Sequence, residues 1–118
     1  MKIFLSQPMR GKTDEQIRAE RANIEIYLQY LLKEHVDIID SVFDLDEGTH
    51  PLVYLGKSIE LMADADMVCF MEGWDESRGC VIEHDAAVRY GIKRKYLDVC
   101  IGRVTYEGQV ITRKEGDI

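Results

Sequence analysis

The sequence has few cysteines, few aromatic residues and little proline, and it lacks any long hydrophobic run. With 46% hydrophobic and 31% charged residues, it has the composition of a folded globular chain, which excludes a disordered or membrane-like protein. No apolar run approaches the roughly 20 residues that span a bilayer, so we expect no membrane contact. The three cysteines, at positions 69, 80 and 100, form no CxxC pair, which predicts reduced thiols in a cytoplasmic setting.

The sequence also lacks an excess of positive charge. Its net charge is −7, which argues against a nucleic-acid partner because such proteins need a basic surface. A small phosphorylated ligand is not excluded, since a few local donors are enough to bind it. The apolar run near the N-terminus, MKIFLSQPMRGK, is too short for a signal peptide. The 118 residues fit one domain with a core that needs neither metals nor disulfides.

The hydrophobic pattern predicts alternating strands and helices. Apolar strands are predicted at 2–6, 36–40, 66–71 and 93–98, and amphipathic helices at 13 to about 35, about 52–62 and 77 to about 90. Thr13 and Gln16 form a capping-box pattern at the start of the first helix. Ser77 is the predicted cap of the third helix, and Gly91 is the predicted stop. This order predicts parallel strands with helices on both faces.

The C-terminal part follows a different pattern. VTY-EG-QVIT alternates around the two residues Glu107 and Gly108, which is typical of a hairpin at a sheet edge or over a neighbouring subunit. The predicted fold class is therefore α/β: a three-layer αβα arrangement around an open parallel sheet of four to five strands. It is flavodoxin-like or Rossmann-like, with a C-terminal hairpin, in a single domain over residues 1–118.

Open parallel sheets bind ligands at the carboxyl ends of their strands. Here those ends correspond to the loops at 7–12, 41–51 and 72–78, and we expect the first and third to meet. The third loop leads into a helix N-terminus, which favours an anionic group.

Glu83 is the candidate catalytic residue of that helix. It lies under two turns from the helix start, and its neighbours three and four residues on are Ala86 and Ala87, which leave space beside it. A carboxylate that faces the sheet end there would be partly desolvated, which raises its pKa and suits an acid, a base or a nucleophile. The alternative is a solvated Glu that complements the helix macrodipole.

Other residues near these loops have weaker signals. Cys80 and His84 are four residues apart, but two ligands do not make a zinc site, and a small buried thiol and a surface imidazole are the simpler interpretations. Arg10, Gly11 and Lys12 form either a phosphate contact or a solvated basic loop, because the glycines of a P-loop are missing. Trp74 either stacks on a base ring or covers the sheet edge.

Three stretches together resemble the nucleoside 2-deoxyribosyltransferase superfamily. They are KIFLSQPMRG, ADADMVCFMEGW and SRGCVIEHDAAVRYGI, and the resemblance covers roughly residues 2–98. It is strongest to the small members, including the deoxynucleoside-monophosphate N-glycosidases. The pattern S-x-G-x-x-x-E-x-x-x-A, here Ser77, Gly79, Glu83 and Ala87, follows an AD-plus-apolar strand as in that superfamily.

The resemblance implies chemistry at an N-glycosidic bond. Glu83 matches the family's nucleophile, which attacks the anomeric carbon of a 2-deoxyribosyl group, as in retaining glycosidases. Ser77, with Gly79 at the same helix start, matches the contact to the 5′-hydroxyl or 5′-phosphate, and Arg10 and Gly11 match the pocket-lining part of the first loop. The resemblance also implies a homo-oligomer, a dimer or larger, and needs neither a metal nor a bound cofactor.

Two positions depart from the family pattern. Phe4 stands where the family commonly has a tyrosine that helps to position the nucleophile, and Ser58 stands where it commonly has an aspartate. A serine hydrogen-bonds a sugar or a base but is not a carboxylic proton donor, and losing such an acid costs about 10²–10⁴ in rate.

Three functions follow as hypotheses. The first is a transferase or hydrolase acting on a deoxynucleoside or its monophosphate, with Trp74 or the 41–51 loop facing the base. The second is a nucleoside- or nucleotide-binding module with the same pocket and no turnover, for which Phe4 and Ser58 argue. The third is an interaction protein whose hairpin pairs with a partner.

Overall fold

The fold is built on one mixed sheet flanked by three helices. A computed structural model of the protein describes residues 1–43, 45–98, 103–106 and 109–112. In chain order the elements are β1 (Lys2–Ser6), α1 (Asp14–Leu32), β2 (Asp37–Ile38), α2 (Pro51–Met62), β3 (Met67–Phe70), α3 (Arg78–Arg89), β4 (Arg94–Asp98), β5 (Arg103–Tyr106) and β6 (Gln109–Thr112).

The strands lie in the order β2-β1-β3-β4-β5-β6. The first four strands in the chain pair in parallel, and β5 and β6 extend the sheet as antiparallel strands beside β4. The predicted parallel α/β sheet with a C-terminal hairpin at its edge is therefore confirmed. The predicted hairpin turn, Glu107 and Gly108, lies outside the described residues.

Alternation along β1 divides the core into two layers. Ile3 and Leu5 pack into a cluster with Ile24 and Leu28 of α1. Phe4 belongs to a second cluster, which contains side chains from α2 and α3 such as Met62 and Ala87. Because successive strand residues point to opposite faces, α1 covers one face of the sheet and the other two helices cover the opposite face. This confirms the three-layer architecture.

The start of α1 agrees with the prediction, but its end lies earlier. The Thr13 side chain accepts a hydrogen bond from the Gln16 backbone N–H at 3.1 Å, and the Gln16 side chain accepts one from the Thr13 N–H at 2.9 Å. The helix ends at Leu32 instead of near His35, because Lys33 adopts a left-handed conformation with φ 55° and its N–H closes the last turn on the Gln29 carbonyl.

Two other elements are shorter or less buried than their patterns predict. The strand predicted at 36–40 is reduced to Asp37–Ile38, an edge strand that pairs only with β1. The apolar stripe predicted for α2 is buried only near its C-terminal end: Met62 is 2% exposed, whereas Leu52 is 66% exposed. Within the described ranges, no helix combines the length and the apolar character that crossing a bilayer requires.

Candidate active site

The candidate site lies where the loops after β1 and β3 meet. The backbone N–H of Met71 donates to the carbonyl of Ser6 at 3.0 Å, which joins the carboxyl ends of these neighbouring strands. Gly73 has φ +86°, and a Cβ atom at this position would lie 3.6 Å from the Pro8 side chain. A residue with a side chain would be strained in that conformation. The predicted meeting of the 7–12 and 72–78 loops is therefore confirmed.

Glu83 is turned towards this edge of the sheet and away from bulk water. Its exposure is 7%, and its Oε1 accepts a hydrogen bond of 2.8 Å from the Oγ of Ser6. The chain leaves β1 for one face of the sheet and β3 for the other, so the carboxyl ends of these two strands form a topological switch point, where open sheets place ligands. The solvated helix end, which was the alternative for Glu83, does not describe this side chain.

Burial dominates the electrostatics of Glu83. It raises the pKa of the carboxyl from 4.5 to about 7, while the Ser6 hydrogen bond and the charge of Arg21 act in the opposite direction. A buried carboxylate with too little compensating charge holds its proton more tightly. Near neutral pH the carboxyl therefore exchanges between its charged and neutral forms, which suits a nucleophile or an acid–base group.

Behind Glu83 lies a network of polar side chains that sequence reasoning missed. Arg21 of α1 is 6% exposed; its Nε donates to Gln7 Oε1 at 2.9 Å and its Nη2 donates to Ser41 Oγ at 2.7 Å. Gln7 follows Ser6 directly, and Ser41 follows β2. The carboxyl ends of two adjacent strands are thus joined by one buried guanidinium.

The same network reaches the first loop. The Gln7 Nε2 donates to Glu20 Oε2 at 3.2 Å, and Lys12 forms an ion pair with Glu20 at 2.9 Å. The charge of Lys12 also acts to lower the pKa of the Cys80 thiol at the start of α3.

Ser77 and Cys80 line the start of α3 beside Ser6. Ser77 is the N-cap residue by position, but its side chain makes no capping hydrogen bond, contrary to the prediction. Burial raises the pKa of the Cys80 thiol, and interactions with Ser6 and Ser77 oppose that rise. Cys80 is 3% exposed, so it is a small buried thiol, as expected.

A group of aromatic side chains packs over the sheet next to α3. Trp74 stacks on His84 with ring centroids 4.3 Å apart and lies 5.3 Å from the ring of Phe70. The His84 Nε2 lies 2.6 Å from the hydroxyl of Tyr96. The sequence did not reveal this partner, because the pairing of β4 with β3 brings Tyr96 beside the half-buried His84. Trp74 therefore packs over the sheet, and its stacking on a base ring stays a prediction.

The two positions that depart from the family pattern differ in burial. Phe4 is 1% exposed and its ring packs within the core cluster. Ser58 lies half-buried on α2. Among the described side chains, Ser6 is the one that hydrogen-bonds Glu83.

The remaining candidates lie around the rim. Arg10 and Gly11 are exposed, and Gly11 has φ +80°, so the first loop turns sharply there. Gly79 lies in the first turn of α3, where a Cβ atom would meet the Leu55 side chain at 4.0 Å. Nowhere in the described part of the chain do three or more metal-ligating side chains gather in a way that could hold a metal ion.

Comparison with known proteins identifies the family. Residues 1–96 match the DUF4406 family, a domain of unknown function, so the chain belongs to this family. No curated protein and no solved structure matches the chain.

Proposed function

We propose that this protein breaks the N-glycosidic bond of a deoxynucleoside or deoxynucleoside monophosphate, by transfer or hydrolysis, with Glu83 as the nucleophile. The observation that carries the proposal is the buried Glu83 carboxyl, held by Ser6 at the switch point of an open parallel sheet. A structural glutamate in a helix would be expected at the surface, because burial of an ionisable group without an ion-pair partner is costly.

The chemistry requires two displacements at C1′. In the first, the Glu83 carboxylate attacks C1′, the C1′–N bond breaks, and the base leaves with the bonding electrons and takes up a proton. In the second, water or another base attacks C1′ of the resulting glycosyl ester, and Glu83 leaves as a carboxylate.

The surroundings of α3 support a ligand with a 5′-hydroxyl or 5′-phosphate. The Ser77 side chain makes no capping hydrogen bond at the helix start, where the backbone N–H groups favour negative charge. Lys12 lies on the adjacent loop. In this proposal the sugar lies over Glu83, with its 5′ end towards Ser77 and Lys12.

The proposal is tested by a substrate survey. The purified protein is incubated at high concentration with each deoxynucleoside and each deoxynucleoside monophosphate, with and without a free acceptor base. We expect release of free base from at least one substrate, measured by liquid chromatography. Absence of release from every substrate would contradict the enzymatic proposal.

A second candidate function is a binding module without turnover. It is favoured by Phe4 and Ser58, which stand where the resembled family commonly has a tyrosine and an aspartate. A module of this kind would show a rise in melting temperature with a nucleotide that stays intact, because a ligand bound only by the native state stabilises it. The same survey separates the two functions, since chromatography reports cleavage and a thermal melt reports binding.

The proposal includes assembly into a homo-oligomer. Several large apolar side chains are exposed on α2 and α3, which a second copy of the chain would cover: Leu52, Val53, Val81, Ile82 and Val88.

The Ser6 hydroxyl is expected to set the pH range of the reaction. Replacing Ser6 with Ala removes the hydrogen bond that favours the charged form of Glu83, so the pKa of the carboxyl should rise further above 7. We expect the acidic limb of kcat/KM to move upwards by about 1 pH unit, since a hydrogen bond to a charged group contributes about 1.5–3 kcal/mol. The measurement is base release between pH 5.5 and 9, and an unchanged limb would contradict the role of Ser6.

A further inference from the structure

A cation occupies a core position of α1. Ile17, Ile24 and Leu28 form the buried stripe of this helix, and Arg21 lies between them with 6% exposure. Arginine remains protonated at any pH at which proteins fold, so its charge is buried with it. An apolar residue at this position would avoid the cost of desolvating a guanidinium, which indicates that the charge serves another purpose.

The hydrogen-bond partners of this guanidinium are neutral. Gln7 and Ser41 accept its hydrogen bonds, and none of the described carboxylates forms an ion pair with it. Burial lowers the pKa of Arg21, and the carboxylates that act on it from longer range are Asp40 and Glu83. Asp40, the stronger of the two, is exposed and pairs with Arg18 at 3.7 Å, whereas Glu83 is buried.

The backbone of β1 connects the two groups rigidly. Ser6 holds the Glu83 carboxylate, and the next residue, Gln7, holds the Arg21 guanidinium. Ser41, at the end of the neighbouring strand, holds the other side of the same guanidinium. Glu83 and Arg21 are thereby attached to the same strand end, from opposite faces of the sheet.

On the basis of the proposed function, we propose that Arg21 is an electrostatic positioning residue for Glu83. The charge of Arg21 stabilises the ionised carboxylate before it attacks C1′, and stabilises the same carboxylate as it leaves C1′ when the glycosyl ester is broken. In the ester Glu83 carries no charge, and the buried guanidinium loses its counter-charge. The second displacement breaks the C1′–O bond, and the electron pair returns to the carboxylate beside Arg21. Arg21 acts through Glu83 and does not touch the substrate.

The first test uses the pH profile of base release. Arg21→Met places an apolar side chain on the apolar stripe, and Gln7 and Ser41 lose the donor that Arg21 supplies. We expect the acidic limb of kcat/KM to shift to higher pH, since the Arg21 charge lowers the pKa of the Glu83 carboxyl and its removal lets that pKa rise. Arg18→Gln is the matched control, because it removes the same charge from an exposed position one turn earlier. It should leave the pH of the acidic limb unchanged. Arg21→Lys should restore most of the wild-type profile.

The second test separates this role from a merely structural one. Above the acidic limb, Arg21→Met should lower kcat and KM together, by up to about tenfold, because the glycosyl ester accumulates when its breakdown slows. Intact-mass measurement during turnover should show a larger fraction of covalent adduct than in the wild type. A loss of kcat with neither an altered limb nor more adduct would overturn the proposal.

A third measurement decides the inference without any turnover. The ¹³C carboxyl resonance of Glu83, identified by its loss in Glu83→Gln, is titrated by NMR in the wild type, Arg21→Met and Arg21→Gln. A higher midpoint in either folded variant supports the inference, and equal midpoints overturn it. If the wild-type protein releases no base from any substrate, the proposed function fails, while this titration still decides whether Arg21 controls the charge of Glu83.

Discussion

Replacing Glu83 with Gln is expected to lower the rate of base release by at least about 10³-fold, because an amide neither attacks C1′ nor leaves from it. Glutamine has nearly the same shape, and its side-chain oxygen can still accept the hydrogen bond from Ser6. The substrate-induced rise in melting temperature should therefore be retained. The measurement is initial base release under saturating substrate, combined with a thermal melt in the presence of the same substrate.

Asp85→Asn is the matched control for this loss. Asp85 lies on the same helix, but its side chain is 61% exposed and pairs with Arg89 at 3.0 Å, away from the sheet end. We expect its activity to stay within about twofold of the wild type, as surface substitutions usually have small effects. A loss of less than tenfold in Glu83→Gln would show that Glu83 is not the nucleophile. Equal shifts in melting temperature for the wild type and Glu83→Gln, with no base release by either protein, would favour the binding module.

The same Glu83→Gln substitution is expected to stabilise the protein, and increasingly so as the pH rises. The folded pKa of Glu83 is raised from 4.5 to about 7. Below pH 4.5 the carboxyl is neutral in both the folded and the unfolded chain. Between pH 4.5 and 7 the unfolded chain ionises first, so the native state loses stability, and above pH 7 the loss is complete.

The size of this effect follows from the difference between the two pKa values. It corresponds to about 3 kcal/mol, since one pKa unit is about 1.4 kcal/mol. The free energy of unfolding of Glu83→Gln, relative to the wild type, should therefore increase by up to about 3 kcal/mol between pH 4 and pH 8. Urea unfolding at both pH values, followed by the fluorescence of the single tryptophan Trp74, measures it.

A pH-independent difference between the two proteins would contradict the burial of a titrating carboxyl. Asp85→Asn is again the control, because its exposed carboxylate should leave the pH dependence like that of the wild type. A substitution that stabilises the fold and abolishes turnover would mark Glu83 as a group kept for chemistry at a cost in stability.

Local patterns in the sequence predicted most of the architecture. The apolar run of β1, the capping box at Thr13 and the glycine after α3 were sufficient to place these elements, because each is a short-range signal. The predicted end of α1 and the predicted burial of α2 were less accurate. Lys33 ends α1 early through its own left-handed conformation, and Leu52 follows a helical period although its part of α2 does not lie against the sheet.

The surroundings of Glu83 depended on contacts between distant parts of the chain. Ser6 and Glu83 are 77 residues apart, and nothing in either local stretch shows that they meet. Arg21 did leave a signal, since a charged residue between Ile17 and Ile24 interrupts an apolar stripe. That signal did not show which groups it would face.

The sequence by itself determined the order of strands and helices, the parallel sheet and the choice of Glu83 as the residue to examine, because periodicity, capping and turn chemistry act within a few residues. The tertiary structure alone decided that the Glu83 carboxyl is buried, that Ser6 binds it, and that Arg21 of α1 binds Gln7 beside Ser6. Desolvation and charge interactions depend on what surrounds a group in space, and for Glu83 that surrounding comes from β1 and α1, far away in the chain.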